Sequence, residues 1–416
     1  MILRPDGFTG ALMAIEGISD ARAVLHGPGG CKHYHYLLSK NAFSRAEPLD
    51  DFNMPYFYGQ SRLPCTFLDE NDYISGAFEK IRDALTVVKG LNDTLIVVVD
   101  SPGAALIGDD HRRAIDGLGL SDRAFPLDGA FISLPVSTGF DRTLKSILQW
   151  LSPKKGDPIP LGVNILGVSL LEKDWKVAMR EIGKTIDLLG LSIVSSPGAG
   201  SSVEDLRGSV NASLNVVVRP EYGLELAKHY ESEYGIPYVI SPSGAPIGFD
   251  STEDWIMSIS NSIHVDPHAA LKRLRDYKRA AFERMQACKF KLGRLKASSI
   301  SVCGDASMAY PLVKWLYDCM SLMPVSVCVD KGGHVDSIKG LNRFLSSIDA
   351  DDSLCEEPQG CDLLFADGNT VKVMTLSGVC KRGIDIGLPS LDHSNMLQKP
   401  VIGAKGAMYL LDEILR

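Results

Sequence analysis

Residues 26–31 read HGPGGC and follow the apolar run Ala21–Leu25. Gly27, Gly29 and Gly30 free the backbone there, while Pro28 fixes one φ angle. Two readings fit these residues. The turn is either an ordinary tight lead into a helix, or a main chain kept bare so that a bulky group can approach it with the Cys31 sulfur facing that group. The preceding ARAVLHG has the length and composition of a buried strand, which puts the turn at a strand's carboxyl end.

The same kind of run recurs along the chain as DTLIVVVDS, PLGVNILGV, LSIVSSPG, SLNVVVRP, SISVCGD, PVSVCVD and DLLFADG. Continuous apolar runs of strand length suit parallel strands covered on both faces. Helical patterns alternate with them. In DWKVAMREIGKTIDLLG, Trp175, Met179, Ile182, Ile186 and Leu189 recur at helical spacing and Gly190 stops the helix. Strand and helix in alternation predict a doubly wound α/β fold. The pattern restarts near PIPLGVNILG and again near GRLKASSISVCGD, after a long charged helix beginning at HVDPHAALKRL. Three Rossmann-like units are therefore expected, over residues 1–155, 156–291 and 292–416. In open α/β sheets ligands sit at strand carboxyl ends, and Cys31, Cys65 and DSPGAALIGDD all occupy such loops in the first unit.

The 416 residues exceed what one hydrophobic core usually spans. With a net charge of −8 and no Lys/Arg-rich run, the chain lacks the basic footprint of a nucleic-acid binder. No stretch of about 18 apolar residues predicts a membrane span. The N-terminal MILRPDGFTGALMAIEGISD carries acidic residues and no signal-peptide pattern, so a cytoplasmic location is expected. Nine cysteines in such a chain read as thiols or metal ligands.

Nucleotide motifs fail. GKT at Gly183–Thr185 has Ala178 where a phosphate loop needs its first glycine, and it lies inside an amphipathic helix. GAGSSV from Gly198 lacks the third glycine of a dinucleotide fingerprint. No nucleotide is expected on this chain. Cys355 and Cys361 read as a free thiol pair in a polar loop, and Cys303, Cys319 and Cys328 as small hydrophobes. On spacing alone, Cys31 and Cys65 do not define a metal site.

Three stretches in order change that balance. LHGPGGC, LPCTFLDENDYISGAFEKI and LIVVVDSPGAALIGDDH together resemble the N-terminal signature of nitrogenase component 1 proteins. LPVSTGF, VNILG, YGIPYV with APIGFDSTEDW, and KPVIGAKGAMYLLDEI continue the likeness to the end of the chain. The resemblance implies three Rossmann-like units and paired subunits sharing an iron–sulfur cluster, with Cys31 and Cys65 as ligands. Ser101 stands where the family's third cluster cysteine would be, as a weak oxygen ligand or a nearby donor. No cysteine lies between Cys65 and Cys288, and His393 is the nearest candidate for a second cofactor contact. Dinitrogen reduction at an iron–molybdenum cofactor is accordingly not implied.

A four-iron cluster needs four ligands, usually thiolates. One chain offers two, so a [4Fe–4S] cluster on the axis of a homodimer, or shared with a related component 1 subunit in a heterodimer, would satisfy it. Gly27, Gly29 and Gly30 would let the backbone approach that cluster. Within the family the pattern is most similar to the nickel-sirohydrochlorin a,c-diamide reductive cyclases. The implied function is the catalytic component of a reductase that acts on a tetrapyrrole, with electrons from a separate ATP-hydrolysing iron protein. Substrate would sit near strand ends of the second and third units. Asp69, Glu70, Asp72, His33 and His35 are the candidate proton donors, although the acids also suit helix capping and the histidines a solvent-facing helix. A non-catalytic scaffold for cluster assembly, or a non-catalytic pairing subunit, is the alternative.

Overall fold

The structure is a computed structural model that describes residues 5–32, 35, 38, 53–58, 62–129, 131, 133–292, 297–390 and 397–416. It is an α/β protein with three parallel sheets, as the alternation predicts. By density of internal contacts the chain divides into two compact units. One holds residues 5–156 and 195–210, the other residues 157–194 and 211–416.

The first unit opens with helix α1 (Gly7–Glu16), capped by Asp6, whose carboxylate accepts from Thr9 N–H at 3.0 Å. Strand β1 (Ala21–His26) is buried throughout, because both faces of its sheet are covered. Two helices follow, α2 (Glu70–Ser75) and α3 (Phe78–Lys89), then β2 (Leu95–Asp100), α4 (His111–Gly117), β3 (Ala124–Pro126) and α5 (Val136–Leu151). The sheet order is β1-β2-β3, with Leu25 opposite Val99 and His26 opposite Asp100. Ile81, Leu85 and Val88, spaced along one face of α3, bury against Val24, Ile96 and Val98 of the sheet.

Every residue of α1 is buried, which only a helix wrapped by protein can sustain. Glycines make the closest of those contacts. A Cβ on Gly139 of α5 would lie 1.8 Å from Gly7 O, and one on Gly10 would lie 1.9 Å from Val136 O. The two backbones therefore meet directly.

The second unit carries two sheets. In the first, β4 (Gly162–Leu166), β5 (Ser192–Ser195), β6 (Leu214–Val217) and β7 (Tyr238–Ile240) take the order β5-β4-β6-β7. Its helices are α6 (Trp175–Leu188), α8 (Leu224–Tyr234) and α9 (Gly248–Ile263); α7 (Val203–Gly208) belongs to the first unit. The charged helix read from sequence is α10 (His268–Leu292). In the other sheet, β8 (Ser299–Gly304), β9 (Met323–Val329), β10 (Cys361–Asp367) and β11 (Cys380–Gly387) take the order β11-β10-β8-β9, with α11 (Ala306–Met320), α12 (Val335–Ser347), α13 (Gly368–Leu376) and α14 (Gly403–Leu415). GKT lies within α6, where Thr185 Oγ1 donates to Glu181 O at 3.1 Å, a helix-interior bond rather than a phosphate loop. Cys355 does not pair with Cys361. Its sulfur lies 3.7 Å from that of Cys328, whereas Cys361 sits opposite Cys380 in the sheet. Among the described residues no helix is long and apolar enough to cross a membrane.

The α1–α5 contact yields a stability test. Gly139→Ala should lower the unfolding free energy by about 1–3 kcal/mol, the usual cost of overpacking. Gly117→Ala, at an exposed helix end with open space around it, should be neutral or slightly stabilising. Urea unfolding of both variants decides it, and equal midpoints would contradict the backbone-to-backbone contact.

Candidate functional site

The carboxyl end of β1 delivers His26 and Gly27, and a short 3-10 turn over Gly29–Lys32 carries Cys31. Cys65 is distant in sequence yet runs alongside. Leu25 N–H donates to Pro64 O at 2.9 Å, Thr66 N–H to Leu25 O at 3.0 Å, and Leu68 N–H to Gly27 O at 3.1 Å. Gly27 N–H in turn donates to Thr66 Oγ1 at 3.0 Å. This parallel bridge between Leu25 and Cys65 brings Cys65 close enough to Cys31 for the Cys31 sulfur to add to the rise of the Cys65 pKa. Ser101 follows β2; its N–H donates to His26 O at 2.8 Å, and its hydroxyl hydrogen-bonds to Cys31. The structure thus unites Cys31, Cys65 and Ser101.

The three glycines divide by role. A Cβ on Gly27 would lie 2.5 Å from Ser101 Oγ, and one on Gly29 would lie 2.9 Å from the Phe67 ring. Those two make room for the protein's own side chains. Around Gly30 a Cβ would meet nothing within 4 Å, so this glycine faces open space.

Both thiols are held neutral in the free chain. Burial pushes the half-buried Cys31 up, against the Ser101 hydrogen bond, and Asp6 adds to the rise. Burial drives Cys65 to about 11, opposed by the Phe67 N–H and by Lys32. Accordingly the Cys65 thiol donates to Gly27 O at 3.1 Å, and Phe67 N–H approaches the sulfur at 3.4 Å. Lys32 was not singled out by its sequence context. It is only 1% exposed, its ammonium donates to Phe57 O at 3.3 Å, and it lies 5.4 Å from the Phe67 ring centre. Burial lowers its pKa to about 8, which leaves it charged at neutral pH beside Cys65.

Behind the turn lies a second set that sequence reading missed. His26 Nε2 is 3.0 Å from Asp109 Oδ2, His111 Nε2 is 2.7 Å from Asp100 Oδ1, and the two rings meet edge-on at 5.0 Å. Asp109 also accepts from Ala77 N–H at 3.0 Å, which anchors the start of α3. Burial, then the neighbouring His111, lowers the His26 pKa. The signal was present in LIGDDH and in the histidine of HGPGGC, but alternating His and Asp residues far apart in sequence do not announce a network.

The acidic candidates lie in a helix cap. Asp69 is the N-cap of α2 and forms a reciprocal capping box with Asp72, whose carboxylate accepts from Asp69 N–H at 2.7 Å. Lys80 lies against both, and its hydrogen bond holds Asp69 below the ordinary carboxylate range. Glu70 is exposed in the first turn, where it complements the helix dipole. His35 is not solvent-facing: it is 2% exposed, and burial, then Lys32 and Arg62, lowers its pKa to about 3. It is a neutral imidazole at pH 7. His33 and His393 lie outside the described residues. Among the described residues no group of three or more His, Cys, Asp or Glu is arranged to hold a metal ion.

The shift at His35 fixes the sign of a pH effect. An unfolded histidine takes a proton near its usual 6.5, whereas folded His35 takes one only at about 3. Its contribution is fully present above pH 6.5 and is lost as pH falls toward 3, by about 1.4 kcal/mol per pH unit for one proton. In urea titrations from pH 7 to 5, His35→Gln should flatten the decline relative to the native chain. Identical slopes would mean that His35 is not buried as a neutral base.

Comparison with known proteins then places the chain. A family model described as nitrogenase component 1 type oxidoreductase matches residues 7–416. The nitrogenase iron–molybdenum cofactor biosynthesis protein NifE of Clostridium pasteurianum is 24% identical over 310 residues, covering 70% of this chain and 64% of that protein. A light-independent protochlorophyllide reductase subunit of Staurastrum punctulatum is 24% identical over 279 residues, covering 64% of this chain and 51% of its own length. The matches thus span about half to two thirds of these relatives. A solved structure of nitrogenase Cp1 at pH 6.5 superposes with a TM-score of 0.79 at 19% identity, over 99% of this chain and 91% of that one, which shows a shared fold. The family match runs almost end to end, over the same turn, strands and loops that bring Cys31, Cys65 and Ser101 together, and on it the chain belongs to the nitrogenase component 1 type oxidoreductases.

Proposed function

We propose that this chain is the catalytic component of a nitrogenase-like reductase, in which two component 1 chains share a [4Fe–4S] cluster and reduce a tetrapyrrole with electrons from a separate ATP-hydrolysing iron protein. The observation that supports this reading is the main-chain bridge that sets buried Cys65 beside the turn carrying half-buried Cys31, with Ser101 hydrogen-bonded to Cys31. Two thiols per chain are half of a four-thiolate set, which a second component 1 chain would complete.

The residues suit such a ligand. When bound, the cluster supplies a one-electron relay. On ligation Cys65 gives up the proton it now donates to Gly27 O, and as a thiolate it accepts from Phe67 N–H. Lys32 places a desolvated positive charge beside that new negative one. Ser101 orients its hydroxyl to Cys31, and the open face of Gly30 leaves main chain accessible. Substrate choice rests on likeness to relatives named for protochlorophyllide reduction. The second reading, a scaffold for metal-cluster assembly, is favoured by the similarity to relatives named for cofactor biosynthesis.

Low-temperature EPR of anaerobically purified, dithionite-reduced protein tests the ligand set. Cys31→Ala and Cys65→Ala should each abolish or alter the signal. A signal indifferent to both changes would overturn the assignment. Lys32→Met should keep the cluster and lower its midpoint potential by about 60 mV, one tenfold change in a one-electron equilibrium. An unchanged potential would mean that Lys32 serves packing alone. Iron-protein-dependent reduction separates the two functional readings: a scaffold holds the cluster and reduces nothing.

A further inference from the structure

Two thiols of the second unit meet outside the candidate site. The sulfur of Cys328, in β9, lies 3.7 Å from that of Cys355, in the segment that follows a 3-10 turn over Asp351–Ser353. The main chain fixes this meeting. Val327 and Leu354 form a parallel bridge, so Cys328 and Cys355 are the next residues along its two sides. Paired strands lie about 4.8 Å apart, within the Cα separation of about 4.4–6.8 Å that a disulfide spans. The segment is pinned on both sides of the thiol. Cys355 N–H donates to Val327 O at 3.3 Å, Gln359 N–H donates to Ser326 Oγ at 3.0 Å, and Ser301 Oγ donates to Gln359 O at 3.2 Å. Closing the gap between the sulfurs asks for side-chain rotation, with both backbones already held.

Access is one-sided. Cys328 is 5% exposed, whereas Cys355 is half-buried and its S–H donates to Glu357 O at 3.1 Å. Of the two, Cys355 is the one a reagent in solution reaches. The chain around it is acidic. Asp349, Asp351, Asp352, Glu356 and Glu357 are exposed, and no lysine or arginine lies between residues 349 and 357. Such a charge attracts cations and repels anions over a screening length of about 8–10 Å. Burial, then Cys328, pushes the Cys355 thiol up, so it reacts slowly at neutral pH and is not built as a fast peroxide sensor.

We propose that Cys328 and Cys355 form a redox modification site, at which a small cationic disulfide oxidises the pair to an intrachain disulfide. Cys355, as its thiolate, attacks one sulfur of the reagent, so that a mixed disulfide forms and one thiolate leaves. Cys328 gives up its proton, attacks the Cys355 sulfur and expels the second thiolate. The two protein thiols lose two electrons and two protons, and the reagent becomes two thiols. The loop that this bond closes contains all of α12, so oxidation ties the chain that follows the helix to β9.

The test is anaerobic incubation of the full-length, iron-loaded protein with cystamine at mildly alkaline pH. Remaining thiols are then alkylated, and disulfides are mapped by mass spectrometry after digestion without reductant. The expected product is a peptide pair linked through Cys328 and Cys355, two hydrogens lighter than the reduced pair and released by dithiothreitol. Cys328→Ala should instead trap a cystamine-derived mixed disulfide on Cys355, and Cys355→Ser should remove both products. Alkylation of both Cys328 and Cys355 in the native chain would overturn the proposal. So would a mixed disulfide that persists there on Cys355, or a bond from Cys328 to Cys303, which stands opposite it in the β8–β9 pairing. Oxidised glutathione, an anionic disulfide, should react several-fold more slowly at low salt. Equal rates would overturn the choice of a cationic oxidant.

Discussion

The short parallel pairing of Leu25–Gly27 with Pro64–Leu68 is the contact on which the candidate site depends. Three backbone hydrogen bonds and one from Gly27 N–H to the Thr66 hydroxyl hold it, and each is formed inside protein. Buried main-chain groups must find partners, so the pairing is enforced by desolvation as much as by attraction. Its consequence is chemical. Two cysteines 34 positions apart come beside one turn because this segment runs beside β1 and continues its sheet by one bridge. Gly27 then admits Ser101 from the end of β2, and Gly29 admits Phe67. One turn thus gathers side chains from three separate segments.

The charges around that turn are arranged at a cost. A lysine that is 1% exposed keeps its proton at neutral pH only because a carbonyl, an aromatic ring and the nearby sulfur offset lost water. His26 and His111 are each tied to an aspartate, and His35 stays neutral. Positive charge is thereby placed beside Cys65, while burial keeps both thiols protonated. For a thiolate ligand the same lysine compensates charge that water cannot reach.

Much of the fold was legible in sequence because parallel strands covered on both faces are written as unbroken apolar runs. Runs such as LIVVVD and NVVV, and the stop at Gly190, map directly onto β2, β6 and the end of α6. The strands β3, β7 and β11 escaped because none is written as a long unbroken apolar run. Two of them have three residues, and β11 mixes CKRG with an apolar half. The pair Cys31 and Cys65 was legible through linked motifs, not spacing. Lys32, Asp109 and His111 were not, since their roles come from burial that only tertiary packing creates. His35 read as solvent-facing for the same reason: nothing local showed the protein that covers it. Asp69 and Asp72 illustrate the reverse, where a three-residue acidic spacing before a helix has the capping box as its local meaning.

The central claim is that one cluster is held by two chains, each contributing Cys31 and Cys65. Native mass spectrometry of the anaerobic, iron-loaded protein reads this directly, because cluster number and chain number appear in one mass. The account predicts a two-chain species, of this chain with itself or with a related subunit, carrying a single set of four irons and four sulfides, and loss of that mass increment in Cys65→Ala. A single chain that carries a complete four-iron cluster, or a dimer that carries two, would contradict it.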